Sequence, residues 1–465
     1  MDSYRQALNE LKGTLGENKV FEDPKILYTY SFDASGLFPG KPLCVVRAFS
    51  REDVVNTLKI TYKYGIPVTV RGSGTSLTGA SIPSENSIVL DLSPMNRIIE
   101  VNVVDGYIVV EPGVRLDDLN SELAKYGYFV PPDPASSSTC SVGGCVAEDA
   151  GGMRGAKYGT FRNWVLALEV VLPDGEVVFL GEPVLKCRQG LSLLHLIIGS
   201  EGTLGVITKI YLKIWPLPEK IVRLMALFKS VEDAGRVVAE AKKHRIVPLI
   251  MEFLDKNVLK FVKEATGLDL PEAEAAIIAD VDGPLEAVWR YAKRLEEIMR
   301  KCGAFEVKAS DDPEEMEKLY LARRSAYPAS LKLRPMPAVL IEDITVPPSK
   351  LPVILKKIYQ IAEKHSVPVV VFGHIGDGNL HPVIYTDPKD RELWEKAEKC
   401  FKEICLAAIE LGGAIAGEHG IGLVKKEVLV EELKARNSLR ALDLMKKIKQ
   451  VFDPKNIMNP DKVFL

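Results

Sequence analysis

Val68-Thr69-Val70-Arg71-Gly72-Ser73-Gly74-Thr75-Ser76-Leu77-Thr78-Gly79-Ala80 is the stretch that decides the fold. A short buried strand runs straight into glycine. Glycine lets the backbone adopt positive φ and come close to a ligand. Successive backbone N–H groups in such a turn form a nest that suits a pyrophosphate. Ser73, Thr75 and Ser76 add hydroxyl donors. The pattern is neither a Rossmann fingerprint nor a P-loop: Leu77 stands where a third glycine would, and no Gly-Lys-Ser/Thr follows. Taken alone, it also reads as a plain glycine-rich turn.

Two more loops change that balance. One is Ser141-Val142-Gly143-Gly144-Cys145-Val146-Ala147-Glu148-Asp149-Ala150-Gly151-Gly152, followed by Lys157-Tyr158-Gly159. The other is Ile198-Gly199-Ser200-Glu201-Gly202-Thr203-Leu204-Gly205-Val206-Ile207. Three such loops in one region are hard to explain as turns. Backbone approach to one long, flat, phosphorylated ligand explains them better.

Around these loops the region reads as α+β. Ser50-Arg51-Glu52-Asp53 opens a helix that Gly65 and Pro67 end. Hairpins are expected at Asp105-Gly106 and at Pro173-Asp174-Gly175. The composition shifts after Pro216-Leu217-Pro218, and strands then alternate with helices from Ile221. This predicts a second α+β part with an antiparallel sheet. From Arg391 the pattern is helical to Phe452, broken around Gly412 to Gly422. The expected division is 1–218, 219–410 and 411–465.

Composition excludes several classes. Sixty basic residues face 63 acidic ones, a formal net charge of −3, so nothing drives nucleic-acid binding. The seven cysteines include no Cys-x-x-Cys, which argues against an iron–sulfur cluster in this chain. No uncharged apolar run reaches the length of a membrane span, and the N-terminus lacks the apolar core of a signal peptide. A cytoplasmic location is expected, with peripheral membrane attachment through an electron-acceptor partner as a variant.

A separate stretch carries chemistry. Val369-Val370-Val371-Phe372-Gly373-His374-Ile375-Gly376-Asp377-Gly378-Asn379-Leu380-His381-Pro382-Val383-Ile384 reads as a hairpin with Asp377-Gly378 as a two-residue turn. In that register His374 and His381 lie directly opposite on one face, with Cβ atoms roughly 4.5–5.5 Å apart. Both imidazoles then reach one metal ion; the plainer alternative is a hydrogen-bonded pair lining a pocket. Pro382 suggests an edge or the end of pairing. Further on, Glu418-His419 sits within Gly412-Gly413-Ala414-Ile415-Ala416-Gly417-Glu418-His419-Gly420-Ile421-Gly422. A charged pair inside a small, apolar segment is costly unless it is used. A buried salt bridge is one reading. The other is a two-His, one-carboxylate site from His374, His381 and Glu418, with a donor set suited to Zn²⁺, Mn²⁺ or Fe²⁺. Arg323, in Leu319-Tyr320-Leu321-Ala322-Arg323-Arg324, reads from sequence as a helical and ordinarily solvated arginine.

In their order, the three loops resemble the FAD-binding domain of the vanillyl-alcohol oxidase / p-cresol methylhydroxylase (PCMH) superfamily. More closely, the chain resembles the group of D-lactate dehydrogenase, glycolate oxidase catalytic subunit and D-2-hydroxyglutarate dehydrogenase, over nearly its whole length to Met458-Asn459-Pro460-Asp461-Lys462. The resemblance implies an α+β fold: a two-part FAD-binding domain of PCMH type, a cap domain with an antiparallel sheet, and a helical C-terminal segment that returns to the FAD domain. It implies FAD bound by Arg71, Gly72, Ser73, Gly74, Thr75, Ser76, Pro132, Asp133, Ser141, Gly143, Gly144, Ala147, Gly151, Gly152, Tyr158, Gly159, Glu201, Gly202, Ile207 and Asn459. Some relatives attach flavin through a histidine in the first loop; residues 71–80 contain none, so non-covalent FAD is expected. Asp149 and Asp461 depart from the Asn and Gly that relatives often carry.

For the second part the resemblance implies His374, His381 and Glu418 as ligands of a divalent metal, Zn or Mn with Fe as an alternative. His419 would be the general base, and Arg323 would clamp the substrate carboxylate. Asn379 would contact substrate or orient a ligand. Ile341 stands where relatives that take dicarboxylates carry a lysine, which tilts the expectation toward D-lactate over D-2-hydroxyglutarate. The expected reaction is FAD-dependent oxidation of a small D-2-hydroxyacid, D-lactate to pyruvate foremost. Glycolate oxidation and D-2-hydroxyglutarate oxidation are the nearest alternatives. Alkyldihydroxyacetone-phosphate synthase, which shares the FAD domain, is the non-redox one; a non-catalytic relay subunit is a third. Electrons would leave to a quinone, a cytochrome, an electron-transfer flavoprotein or an iron–sulfur subunit. A homo-dimer or a hetero-complex fits that requirement.

Overall fold

The computed structural model describes residues 2–188, 190–268, 272–332 and 334–464. The chain forms two compact units. The first takes the chain up to Ala150, then Thr160–Leu217, and again from Glu418 onward; the second takes Gly151–Gly159 and Pro218–Gly417.

In the first unit the strands are β1 (Val20–Phe21), β2 (Cys44–Arg47), β3 (Val68–Arg71), β4 (Ile88–Asp91), β5 (Ile98–Asn102), β6 (Tyr107–Val110), β7 (Tyr128–Phe129), β8 (Val165–Val171), β9 (Val177–Gly181), β10 (Val206–Lys213) and β11 (Trp215–Pro216). One sheet has the order β1-β2-β4-β3, with β4 parallel to both β2 and β3. Parallel strands bury both faces and read as continuous apolar runs. Val45, Val46, Val68, Ile88 and Leu90 are accordingly inaccessible to solvent. The helix Arg51–Tyr64 packs Leu58 into the same core. Ser50 Oγ accepts the Asp53 N–H at 3.2 Å at its start, and Gly65 with φ 65° ends it in the left-handed region. A second sheet has the order β5-β6-β10-β8-β9 and contains both expected hairpins. The C-terminal segment returns along β3: Val68 N–H donates to Ile457 O and Asn459 N–H to Val68 O, both at 2.7 Å.

The second unit contains β12 (Lys220–Phe228), β13 (Ile250–Asp255), β14 (Ala275–Gly283), β15 (Ala304–Ser310), β16 (Ala338–Ile341), β17 (Ile344–Thr345), β18 (Val369–Gly373) and β19 (Asn379–Thr386). Their order is β15-β12-β14-β13-β18-β19-β16, with β17 also on β19. All pairings are antiparallel, as the sequence predicts for this part.

The histidine hairpin differs in register from the sequence expectation. Phe372, not His374, is the partner of His381, and Val371 is the partner of Pro382. The connection is a four-residue loop, Ile375 to Gly378, because the Asp377 and Asn379 N–H groups both turn back onto His374 O at 3.3 and 3.2 Å. Gly376 N–H is drawn away to Met251 O at 3.0 Å. A shift of two residues keeps the same face. His374 and His381 are therefore diagonal neighbours rather than opposite partners. Pro382 is also not at an edge: β19 lies between β18 and β16, and Pro382 O accepts the Glu342 N–H at 2.8 Å.

Removing the Ser50 cap tests the helix-start reading. Ser50→Ala is expected to lower unfolding free energy by about 1 kcal/mol in urea titration; an unchanged midpoint would show that the cap contributes nothing.

Candidate active site

In the first unit the three glycine loops converge on one cleft. Gly72, Ser73, Gly74, Thr75 and Ser76 line it from the first loop, Ser141, Gly143, Gly144 and Ala147 from the second, and Glu201, Gly202 and Ile207 from the third. Two glycines sit where a side chain would crowd its neighbours. A Cβ on Gly72 would lie 2.1 Å from Ser141 Oγ, and Gly74, at φ 69°, leaves no room above the Arg71 guanidinium. A backbone cradle with hydroxyl donors and no side-chain bulk fits a pyrophosphate-bearing cofactor.

Other expected cofactor residues are not among those that line the cleft. Arg71 donates to Phe32 O at 2.7 Å and stacks over Tyr30 at 5.5 Å. Asn459 Nδ2 bridges the first and third loops through Ala80 O at 2.9 Å and Glu201 O at 2.7 Å. Pro132 and Asp133 are buried outside the lining. Gly151, Gly152, Tyr158 and Gly159 belong to the second unit. There Met153 and Tyr158 pack with Leu249 and Ile250, and Lys157 pairs with Asp282 at 2.5 Å.

The cofactor loops also hold the Glu418-His419 segment. Thr78 Oγ1 donates to His419 O at 3.1 Å. The Glu201 carboxylate accepts the Ile421 and Gly422 N–H groups, each at 2.7 Å. Burial raises the Glu201 pKa, opposed by those two bonds. His419 Nε2 lies 3.9 Å from Glu418 Oε1. Glu148 was not singled out by sequence. It lines the cleft, its Oε2 has no hydrogen-bond partner among the described residues, and burial followed by the Glu201 and Asp33 charges raises its pKa well above the carboxylate range.

In the second unit the two imidazoles meet as the hairpin face requires. Ring centroids of His374 and His381 are 5.2 Å apart, edge to face at 83°, and each residue is 3% exposed. Behind each ring stands a fully buried carboxylate that sequence reading missed. Glu252, on β13, has both oxygens 2.9 Å from His374 Nδ1. Asp343 Oδ1 lies 3.7 Å from His381 Nδ1. Both signals were present in the sequence as acids in an apolar setting: Glu252 inside Ile250-Met251-Glu252-Phe253, and the pair between two apolar strands in Ile341-Glu342-Asp343-Ile344. An acid there is costly unless partnered.

Arg323 closes the helix Pro313–Arg324 and is 2% exposed, so the solvated reading of this arginine is excluded. Its Nε donates to Glu252, and its guanidinium lies 5.3 Å over the Phe372 ring. Asn379 Nδ2 donates to Asp343 Oδ1 at 2.7 Å and to Ile344 O at 3.0 Å, which leaves Oδ1 for anything further. Asp343 Oδ2 accepts the Gly417 N–H at 2.9 Å. Gly417 lies so close to Asn379 and Thr345 that a Cβ would meet them at 2.3 and 2.5 Å. Glu418 follows by one peptide bond. Among the described residues, no helix is long and apolar enough to cross a membrane.

Comparison with known proteins agrees with both units. Residues 42–181 match the FAD binding domain, and residues 217–463 match the C-terminal domain of FAD linked oxidases. The chain is 38% identical over 436 residues to glycolate oxidase subunit GlcD of Bacillus subtilis (strain 168), covering 94% of this chain and 92% of that protein. It is 36% identical over 425 residues to the D-lactate dehydrogenase of Archaeoglobus fulgidus, covering 90% of each. The fold superposes on p-cresol methylhydroxylase with substrate bound at a TM-score of 0.83 and 18% identity, over 100% of this chain and 97% of that one. The chain belongs to the FAD-linked oxidases, with their FAD-binding domain followed by their C-terminal domain.

Proposed function

We propose that the protein oxidises a small D-2-hydroxyacid, D-lactate to pyruvate foremost, and passes the electrons to an acceptor other than a nicotinamide. The observation that carries this reading is the pair of buried imidazoles, each with Nδ1 toward a buried carboxylate, beside an arginine with unused donors. His374, with its Nδ1 bonded to Glu252, has Nε2 on the far side of the ring.

When bound, FAD accepts the hydride, and a divalent ion on His374, His381 and Glu418 would polarise the substrate hydroxyl. Arg323 holds the substrate carboxylate, a planar anion that matches its fork. His419 takes the hydroxyl proton, a step that suits an imidazole near neutral pH. Its backbone is fixed by Thr78, so the base is held by the same loop that forms the cofactor cradle. Asp343 orients Asn379 and the approach to Glu418 through Gly417. Ile341, packed with the apolar cluster around Tyr385, offers nothing to a second carboxylate, which favours a monocarboxylic substrate. FAD is held without a covalent bond; the residues that line the cleft include no histidine, cysteine or tyrosine. The electron acceptor is a quinone, a cytochrome, an electron-transfer flavoprotein or an iron–sulfur subunit.

A second reading is favoured by the relative named glycolate oxidase subunit. It keeps every role above and changes only the substrate to glycolate. One experiment separates the two.

Anaerobic mixing with D-lactate is expected to bleach the flavin absorbance, L-lactate to leave it intact, and glycolate to act more slowly. Faster bleaching by glycolate selects the second reading; no bleaching by any of them removes both. His419→Ala is expected to retain bound FAD and to lose reduction by about 10²–10⁴-fold, the usual worth of a general base. Reduction at the unmodified rate would take that role from His419. Dialysis against a chelator is expected to abolish reduction while FAD stays bound, with recovery on adding Zn²⁺ or Mn²⁺. Metal content by elemental analysis checks it, and full activity in metal-free protein would exclude the ion.

A further inference from the structure

Glu252 lies in the middle of β13, between β14 and β18, with no exposed surface. One carboxylate there serves two side chains from distant parts of the chain. Both oxygens lie 2.9 Å from His374 Nδ1, and Oε2 also accepts the Arg323 Nε–H. Beside a guanidinium the carboxylate only accepts, so the proton on the imidazole belongs to Nδ1 and the lone pair to Nε2. Arg323 spends one of its five N–H donors on Glu252. Its terminal nitrogens make no hydrogen bond among the described residues, while its plane is fixed over Phe372.

That use of the arginine is unusual for a pair kept for stability alone. A guanidinium buried for packing satisfies its fork, commonly through two parallel bonds to the carboxylate. Here the stem is tied and the fork is left open. A buried ion pair is in any case weak evidence for stability, because apolar residues of similar volume often replace it without loss. The asymmetry therefore points to a ligand for the open side.

We propose that Glu252 is a positioning residue shared by the two halves of the candidate substrate site: it fixes His374 with Nε2 presented for a divalent cation, and it fixes the Arg323 fork for a substrate carboxylate. The inference rests on the function proposed above and adds the residue that couples its metal ligand to its carboxylate clamp. One change at Glu252 must then disturb two separable quantities, metal affinity and hydroxyacid affinity. A purely structural residue would move neither without also costing folded protein.

The test uses the full-length holoprotein, with FAD stoichiometry as the folding control. In Glu252→Gln, affinity for Zn²⁺ or Mn²⁺, read by calorimetric titration of chelator-stripped protein, is expected to fall about 10- to 100-fold. KM for D-lactate is expected to rise about tenfold or more, and FAD content to stay unchanged. Arg323→Lys should raise KM alike and leave metal affinity within about twofold, because it alters one of the two partners. Metal affinity and KM both unchanged in Glu252→Gln overturn the proposal. If that variant does not fold, ¹⁵N spectra of the imidazoles in the unmodified protein decide. His374 as the Nδ1–H tautomer supports Glu252 in this role, and His374 as the Nε2–H tautomer overturns it. Unmodified protein that binds no metal and is reduced by no hydroxyacid instead refutes the proposed function, and the tautomer measurement depends on neither.

Discussion

A carboxylate without water must be surrounded by donors, and this chain uses that requirement to tie remote segments together. Glu201 takes the N–H groups of Ile421 and Gly422. Asp343 takes Asn379 and Gly417. Glu252 takes His374 and Arg323. Asp255 takes the Val258 and Val371 N–H groups and the Tyr359 hydroxyl at 2.7–2.9 Å, and burial still pushes its pKa up to about 6. Asp453 takes Ile457, Met458 and the buried Lys449. In every case the acid is far more buried than acids usually are. Stripping Arg323 from Glu252 or Lys449 from Asp453 leaves desolvated charge, at a cost of about 3–5 kcal/mol.

These knots have a functional consequence because of where they fall. The chain leaves the second unit at Gly417, whose N–H is held by Asp343. It enters the first at Glu418, and Ile421 and Gly422 are held there by Glu201. Three residues, Glu418-His419-Gly420, lie between the two fixed points. Ordering a backbone residue costs about 1–2 kcal/mol. Preorganised groups lose less on binding than mobile ones.

Much of this was legible in the sequence, and the illegible part has a physical cause. The helix Arg51–Tyr64 announced both ends through Ser50 and Gly65. The hairpins at Gly106 and Gly175 followed from local turn chemistry. The glycine loops were legible as a cradle because glycine is cheap nowhere else in such density. The histidine hairpin was legible in face but not in register. Asp377-Gly378 is a good two-residue turn by itself, yet Met251 captures the Gly376 N–H and the loop widens. Nothing near Gly376 in sequence announces Met251. The transfer of Gly151–Gly159 to the second unit is hidden in the same way, since Lys157 finds Asp282 and Met153 finds Leu249 only in the folded chain.

Glu252 and Asp343 show what kind of signal was present but unused. One or two acids in an apolar stretch look like noise beside a motif such as Glu418-His419, which glycines frame on both sides. The physical argument is the same for each: charge in an apolar setting persists only where partners or function hold it there. Applied evenly, it selects Glu252, Glu342, Asp343 and Glu148 from the sequence before any coordinates exist. It cannot say which of them face a ligand and which face a backbone amide. That distinction needs the partners themselves, and here it divides Glu201, whose two oxygens are each bonded to an amide, from Glu148, whose Oε2 has no protein partner among the described residues. Both carboxyls border the cleft. An acid that the protein leaves unsatisfied beside a cofactor cradle is the one that bound cofactor can complete.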